Sequence, residues 1–311
     1  MHINSEPLAD GNLDEAIDFF RSSNPFAQRT WGWDTGRFMD WRWGSNTLRE
    51  QAGPGWFEHN CRIFRDGPDI RAVSLAEYGR DDECIVTPGE DSEVIGQVLG
   101  WLLERHAERG TGLGFEFARD AEWLRSVFAA AGFVEEPNTG PEFEFDLNAL
   151  PEPAPIAAGF TIESLSDDRA GDYAGIAECI KGAFDVDRDV EAALRSLEAN
   201  PMFRPELSVF ARSPDGSIAA YCRGTVDPDN GVGGIDPVCT HPDFGRMGLG
   251  RAVVQACLQT QRDLGGRFSY IGSDKEPAPG AFLYRSLGPS DRIDFCKWEL
   301  PAEKVAAIAN G

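Results

Sequence analysis

Residues 240–258, THPDFGRMGLGRAVVQACL, combine residue types that could hold a phosphate. A β-rich run ends at Pro242, three glycines follow (Gly245, Gly248 and Gly250), and an unbroken apolar helix pattern comes next. In that order the turn amides and the unbonded donors of the first helical turn point at one spot, where the helix dipole favours an anion. Glycine lets the backbone approach the anion and take a positive φ. Arg246 and Arg251 add charge beside it. The spacing GxxGxG is neither a Walker loop, which needs GKS or GKT, nor the dinucleotide fingerprint GxGxxG.

The other reactive side chains form no such motif. The seven cysteines (Cys61, Cys84, Cys179, Cys222, Cys239, Cys257 and Cys296) are odd in number and lack CxxC spacing. Neither a zinc knuckle nor a disulfide framework is signalled, and most lie in apolar runs, as reduced core cysteines do. His2, His59, His106 and His241 have no metal-ligand spacing, so no metal is expected. The net charge of −23, from 29 basic and 52 acidic residues, argues against nucleic acid or an anionic membrane as partner. It suits a cationic small molecule, and equally a solvated acidic surface. No apolar run approaches the roughly 18 residues of a membrane span. The first twenty residues show no secretory signal, so the expected location is the cytoplasm.

The elements that would position the loop occur twice. Residues 147–160 carry Pro151, Pro153 and Pro155 at alternate positions, which reads as an extended linker. Either side of it a similar order runs: an opening helix (LDEAIDFFRSS; DYAGIAECIKGAF), then a strand–turn–strand with Asp66-Gly67 or Asp215-Gly216 at the turn. A strand ending at Pro88 or Pro242 follows, then a long amphipathic helix, a strand, a short helix and a last strand (PEFEFDL; IDFCKWEL). The expected fold is α/β with a mixed α+β sheet, in two tandem domains. Residues 1–150 make the first, 151–158 the proline-rich linker, and 159–311 the second.

The stretch PVCTHPDFGRMGLGRAVV resembles the core motif of the GNAT superfamily of acyl-CoA-dependent N-acetyltransferases, V-x-x-x-P followed by R/Q-x-x-G-x-G/A and a helix. The element order of the second half is similar throughout, and the first half resembles a degenerate copy. The whole chain thus resembles the tandem GNAT proteins, an arrangement shared by mycothiol synthases. That resemblance implies, in each repeat, a mostly antiparallel sheet flanked by helices, with its fourth and fifth strands splayed. It further implies acetyl-CoA as co-substrate. Val238, Cys239 and Thr240 would line the pantetheine arm, and Gly245, Arg246, Met247, Gly248, Leu249, Gly250 and Arg251 would hold the pyrophosphate. Gly245 stands where the family has Arg or Gln. APGAFLYRSLG resembles the family segment N-x-x-A-x-x-x-Y-x-x-x-G, which makes Tyr284 the proton donor to the departing thiolate. Gly280 holds its small-residue position and Pro277 replaces the usual Asn. Asp236 lies where members often carry Glu, as a base for the amine, a contact for a cationic acceptor, or simply the start of the strand.

In the first half, GEDSEV follows Pro88 with one glycine and Glu90, Asp91 and Glu93. Carboxylates there would repel a diphosphate at a cost of about 1 kcal/mol each, so residues 1–150 are expected not to bind coenzyme. GTGLGF (110–115) follows a helix instead of preceding one, the wrong polarity for such a site. Trp31, Trp33, Trp41 and Trp43 could line an acceptor site or cage a cation, although core or a seam between domains is the commoner use. The function expected is an N-acetyltransferase acting by direct transfer on a small, cationic amine, with the second domain catalytic. The competing readings are a non-catalytic acyl-CoA sensor, and an enzyme with another acyl donor or an O-linked acceptor.

Overall fold

Alternating and helical apolar patterns become the strands and helices of a mixed α/β fold in the computed structural model, which describes residues 3–44, 55–76, 82–136, 140–165, 169–186, 188–274 and 276–309. His2, and the end of the first hairpin at Tyr78 and Gly79, lie outside the described residues. The chain forms two compact units. One comprises Met1–Phe38, Asn46–Gly140 and Ile293–Gly311; the other comprises Met39–Ser45 and Pro141–Arg292.

The first unit's sheet begins β1 (Asn4–Pro7), β2 (Cys61–Asp66), β3 (Asp69–Leu75), β4 (Asp82–Val86) and β5 (Leu113–Ala118). β6 (Val134–Glu136) belongs to the same unit. The strand beside both β5 and β6 is the last of the chain, β13 (Asp291–Leu300), antiparallel to each, with Phe295 opposite Ala118 and Leu300 opposite Leu113. The second unit contains β7 (Pro141–Asp146), β8 (Thr161–Ser164), β9 (Ser208–Arg212), β10 (Ile218–Asp227), β11 (Val232–Thr240) and β12 (Phe268–Gly272). Its strand order is β7-β12-β11-β10-β9-β8, with β11 and β12 parallel and the remaining pairs antiparallel.

The compact units therefore do not follow the expected division at 1–150, 151–158 and 159–311. The last strand of each half completes the sheet assembled mainly from the other half. Both strands carry a similar alternating pattern, so periodicity alone suits either partner equally. The proline-rich stretch is also more than a spacer. Leu150, Ile156 and Ala157 pack against the second unit's core, and the Ala154 amide donates to the Gln255 side chain at 3.2 Å.

The second unit's sheet is covered on both faces. Helix Leu249–Asp263 buries Leu249, Val253, Val254, Cys257 and Leu258, a three-to-four-residue spacing, against Ala220, Cys222, Val226 and Ile235 of the strands. On the other face, Ile176, Ala177 and Ile180 of helix Arg169–Phe184 meet Phe210, Tyr221 and Cys239. All seven cysteines are free thiols and buried. Among the described residues, no helix is long and apolar enough to cross a membrane, and no cluster of three His, Cys, Asp or Glu could hold a metal.

Candidate functional site

The glycine loop is anchored at its start and open thereafter. After β11, the His241 amide donates to the Ala219 carbonyl, and the His241 ring accepts from the Asp243 amide at the head of a single 3-10 turn, Pro242–Phe244. The Gly245 amide closes that turn onto the Pro242 carbonyl at 3.2 Å. From Arg246 to Arg251, the six backbone amides have no hydrogen-bond partner among the described residues. Gly248, at φ 78°, directly precedes helix Leu249–Asp263, and no side chain caps the helix. These donors form a cradle for an anion at the positive end of the helix dipole, and residues 245–248 are exposed.

The left-handed residues of this turn are Arg246 (φ 64°) and Gly248, whereas Gly245 is extended at φ −60°, ψ 150°. A side chain at Gly245 would meet only the Pro242 carbonyl, at an ordinary 3.4 Å. Nothing in the backbone demands glycine there, and its departure from the family pattern leaves the cradle intact. Gly250 is closely packed: a β-carbon there would stand 3.0 Å from Thr240 Oγ1, which would have to give slightly, and 3.5 Å from Leu283. Its absence lets the helix start against the end of β11. Arg251 is turned away from the cradle and donates to the carbonyl and hydroxyl of Ser286. Among the candidate arginines, Arg246 is the exposed one beside the open amides.

Next to the loop the sheet divides. β11 and β12 pair only at Val232–Phe268, Gly233–Ser269 and Gly234–Tyr270, so Ile235 to Thr240 have no ladder partner on the β12 side. Val238, Cys239 and Thr240 thus flank a wedge leading from the cradle, with Val238 and Thr240 half-buried and Cys239 buried. Tyr284 comes in on the short helix Pro279–Arg285 and is 6% exposed, its ring edge-on to Phe143 at 6.1 Å and against Gly280. Its hydroxyl makes no hydrogen bond among the described residues. Burial pushes the Tyr284 hydroxyl well above the usual phenol value, and the Asp236 carboxylate pushes it the same way. It is therefore protonated at neutral pH, the state a general acid needs.

Asp236 is exposed on β11, at the point where the ladder with β10 slips. Cys222 faces Val238 and Gly224 faces Ile235, so Asp236 and Pro237 together oppose Arg223. This bulge re-aims the strand beside the wedge. Sequence reasoning missed Arg223 and its partners. Arg223 is 9% exposed, and its Nη1 lies 2.7 Å from Asp40 Oδ2. The Asn200 amide donates to Asp40 Oδ1 at 3.0 Å. Burial opposes the Arg223 charge, but Asp40 outweighs it, with Asp236 adding to the effect, and the guanidinium is held above its ordinary value. Asp40 lies within the tryptophan-rich stretch, in the segment Met39–Ser45 that counts with the second unit. Only that placement reveals its link to Arg223.

The corresponding helix of the first unit, Ser92–Arg109, has an acidic side chain on one of its first-turn donors. Asp91 caps it, accepting from the Val94 amide at 3.0 Å, and Arg71 pairs with Asp91 at 2.7 Å. Gly110 of GTGLGF is the left-handed C-cap of the same helix. Trp31 and Trp33 are buried in the first unit, and the Trp33 face is covered by Arg37 at 4.5 Å. Trp41 and Trp43 are half-buried in the second, with Arg42 5.3 Å from the Trp43 ring.

Residues 174–288 match the family model "Acetyltransferase (GNAT) family". Among curated proteins no sequence matches the chain. A GCN5-related N-acetyltransferase from Sphaerobacter thermophilus is similar in structure, with a TM-score of 0.63, 14% identity and 96% of each chain covered. A tandem GNAT protein from the clavulanic acid biosynthesis pathway aligns with a TM-score of 0.64 at 15% identity, over 97% of this chain and 99% of its own. A GCN5-related N-acetyltransferase from Kribbella flavida aligns with a TM-score of 0.54 at 19% identity, over 74% of this chain and 86% of its own. A loop with open amides beside a splayed strand pair, a family match across that same region and a repeated fold agree: residues 174–288 match the GNAT acetyltransferase family, in a chain whose fold is similar to that of a tandem GNAT protein.

Proposed function

We propose that this protein is an acetyl-CoA-dependent N-acetyltransferase whose second unit transfers the acetyl group directly to a small, cationic amine. The observation that carries the reading is the run of unpartnered amides from Arg246 to Arg251 at the open end of the β11–β12 wedge. Acetyl-CoA would supply the thioester. Its pyrophosphate fits the amide cradle, with Arg246 alongside, and its pantetheine arm fits the strand edge at Val238, Cys239 and Thr240. Arg251 supports the site indirectly, by tying the start of one helix to the end of the helix bearing Tyr284.

Within this reading Tyr284 gives its hydroxyl proton to the departing sulfur. Asp236 accepts the proton of the attacking amine, directly or through water, and its charge draws a cationic acceptor into place. The acidic composition favours such acceptors at longer range. The first unit, whose equivalent helix is capped by Asp91, takes no coenzyme. The test is acetyl-CoA turnover with a free-thiol readout across polyamines, aminoglycosides and amino acids. At least one amine should release thiol well above the amine-free rate. Coenzyme binding without release for any amine would support a sensor instead.

A further inference from the structure

The transfer chemistry makes no use of two buried thiols that meet across the seam between helix Arg169–Phe184 and β11. The sulfurs of Cys179 and Cys239 are 3.8 Å apart, and the residues are 1% and 5% exposed. Cys239 sits between Val238 and Thr240, on the strand edge assigned to the pantetheine arm. The thiols of Cys222 and Cys257 are turned instead to the carbonyls of Val253 and Leu207. Cys179 and Cys239 share a sulfur–sulfur hydrogen bond, and this bond mainly holds Cys179 below the usual thiol value. Cys239 is pushed up by the same bond and by burial. At 3.8 Å the two sulfurs are close enough for one to react with a small oxidant and the other to resolve it.

We propose that Cys179 and Cys239 form an oxidative modification site, in which a peroxide joins them as an intramolecular disulfide that weakens coenzyme binding at β11. Peroxide transfers one oxygen to the Cys179 thiolate, giving a sulfenic acid as the O–O bond breaks and hydroxide leaves. The Cys239 sulfur then attacks that sulfur, the S–S bond forms, the S–O bond breaks, and water departs with the Cys239 proton. In sum, two thiols are oxidised and one peroxide is reduced to two waters. Peroxide is small enough to reach the pair through local opening of the helix.

The bond would draw the sulfurs from 3.8 Å to about 2.05 Å. The helix cannot simply slide inward, because Gly182 already lies against the His241 ring, where even a β-carbon would stand 2.6 Å from ring atom Cδ2. Where the strand around Cys239 takes up part of that movement, the backbone groups of Val238 and Thr240 shift with it.

The consequence for binding rests on the acetyltransferase reading; the disulfide does not. The full-length protein is treated with hydrogen peroxide, alkylated and measured by mass spectrometry, with acetyl-CoA binding followed by calorimetry. The expected result is two fewer alkyl groups on the treated protein than on the untreated one, a cross-linked peptide pair holding Cys179 and Cys239, and affinity reduced about tenfold, all reversed by dithiothreitol. Cys179→Ser and Cys239→Ser should be insensitive to the same treatment. Should either fail to fold, the reversible cycle of the unsubstituted protein decides alone. Both thiols remaining alkylatable after treatment, or a linked form binding acetyl-CoA as tightly as the reduced one, would overturn the proposal. A reduced protein that does not bind acetyl-CoA defeats the acetyltransferase reading, while the peptide map still decides the disulfide.

Discussion

Tyr284 and Asp236, proposed as acid and base, lie on a helix and a strand forty-eight positions apart. The resemblance of its segment singled out Tyr284, but the rise of its hydroxyl above the usual phenol value could not be read there, because that comes from burial and the Asp236 carboxylate. Replacing it with Phe removes one hydroxyl from a site where the ring keeps its packing on Phe143. Tyr284→Phe should lower turnover about a hundredfold and leave acetyl-CoA affinity within about twofold by calorimetry; unchanged turnover removes it from the mechanism. Asp236 could be noticed in the sequence only by analogy, and Arg223 not at all, since nothing local ties Arg223 to Asp40 far upstream. Asp236→Asn should reduce the rate most at low pH, where the amine is charged and deprotonation is hardest. A loss equal at every pH would assign Asp236 to acceptor binding.

At the scale of elements, the strand–loop–helix unit was legible because its glycines, proline and apolar spacing act locally. The helices Leu13–Ser23 and Ser92–Arg109 likewise match their sequence patterns. Short elements such as β8 and the helix Val190–Ser196 were not visible, since they depend on neighbours for their stability. Within the loop the expectation that its glycines take the left-handed turns held at Gly248 but not at Gly245, where Arg246 takes that conformation instead. Gly248→Glu adds side-chain strain at φ 78° and a negative charge at the cradle. Its melting temperature without ligand should fall modestly, and the stabilisation by acetyl-CoA should vanish. A retained ligand shift would place the coenzyme elsewhere.

The whole molecule departs furthest from a reading along the chain, because the last strand of each half belongs to the compact unit built mainly from the other half. Cutting the chain into 1–150 and 159–311 leaves the first piece without β13 and the second without β7. Each piece expressed alone should melt well below the intact chain by circular dichroism, and co-expression should restore a cooperative melt. A fragment 159–311 as stable as the full protein would show that its own β13 can replace β7. The tryptophan-rich stretch splits in the same way: Trp31 and Trp33 pack in one unit, while Asp40, Trp41 and Trp43 count with the other.

By itself the sequence determined the duplicated order of elements, the loop able to cradle an anion, and its loss from the first repeat, because glycine, proline, charge and apolar period exert their effects within a few residues. The tertiary structure decided which sheet each last strand joins, which amides are left open, and the meetings of Arg223 with Asp40 and of Cys179 with Cys239. Those depend on side chains brought together from distant parts of the chain, where packing and burial, rather than local preference, set the free energy.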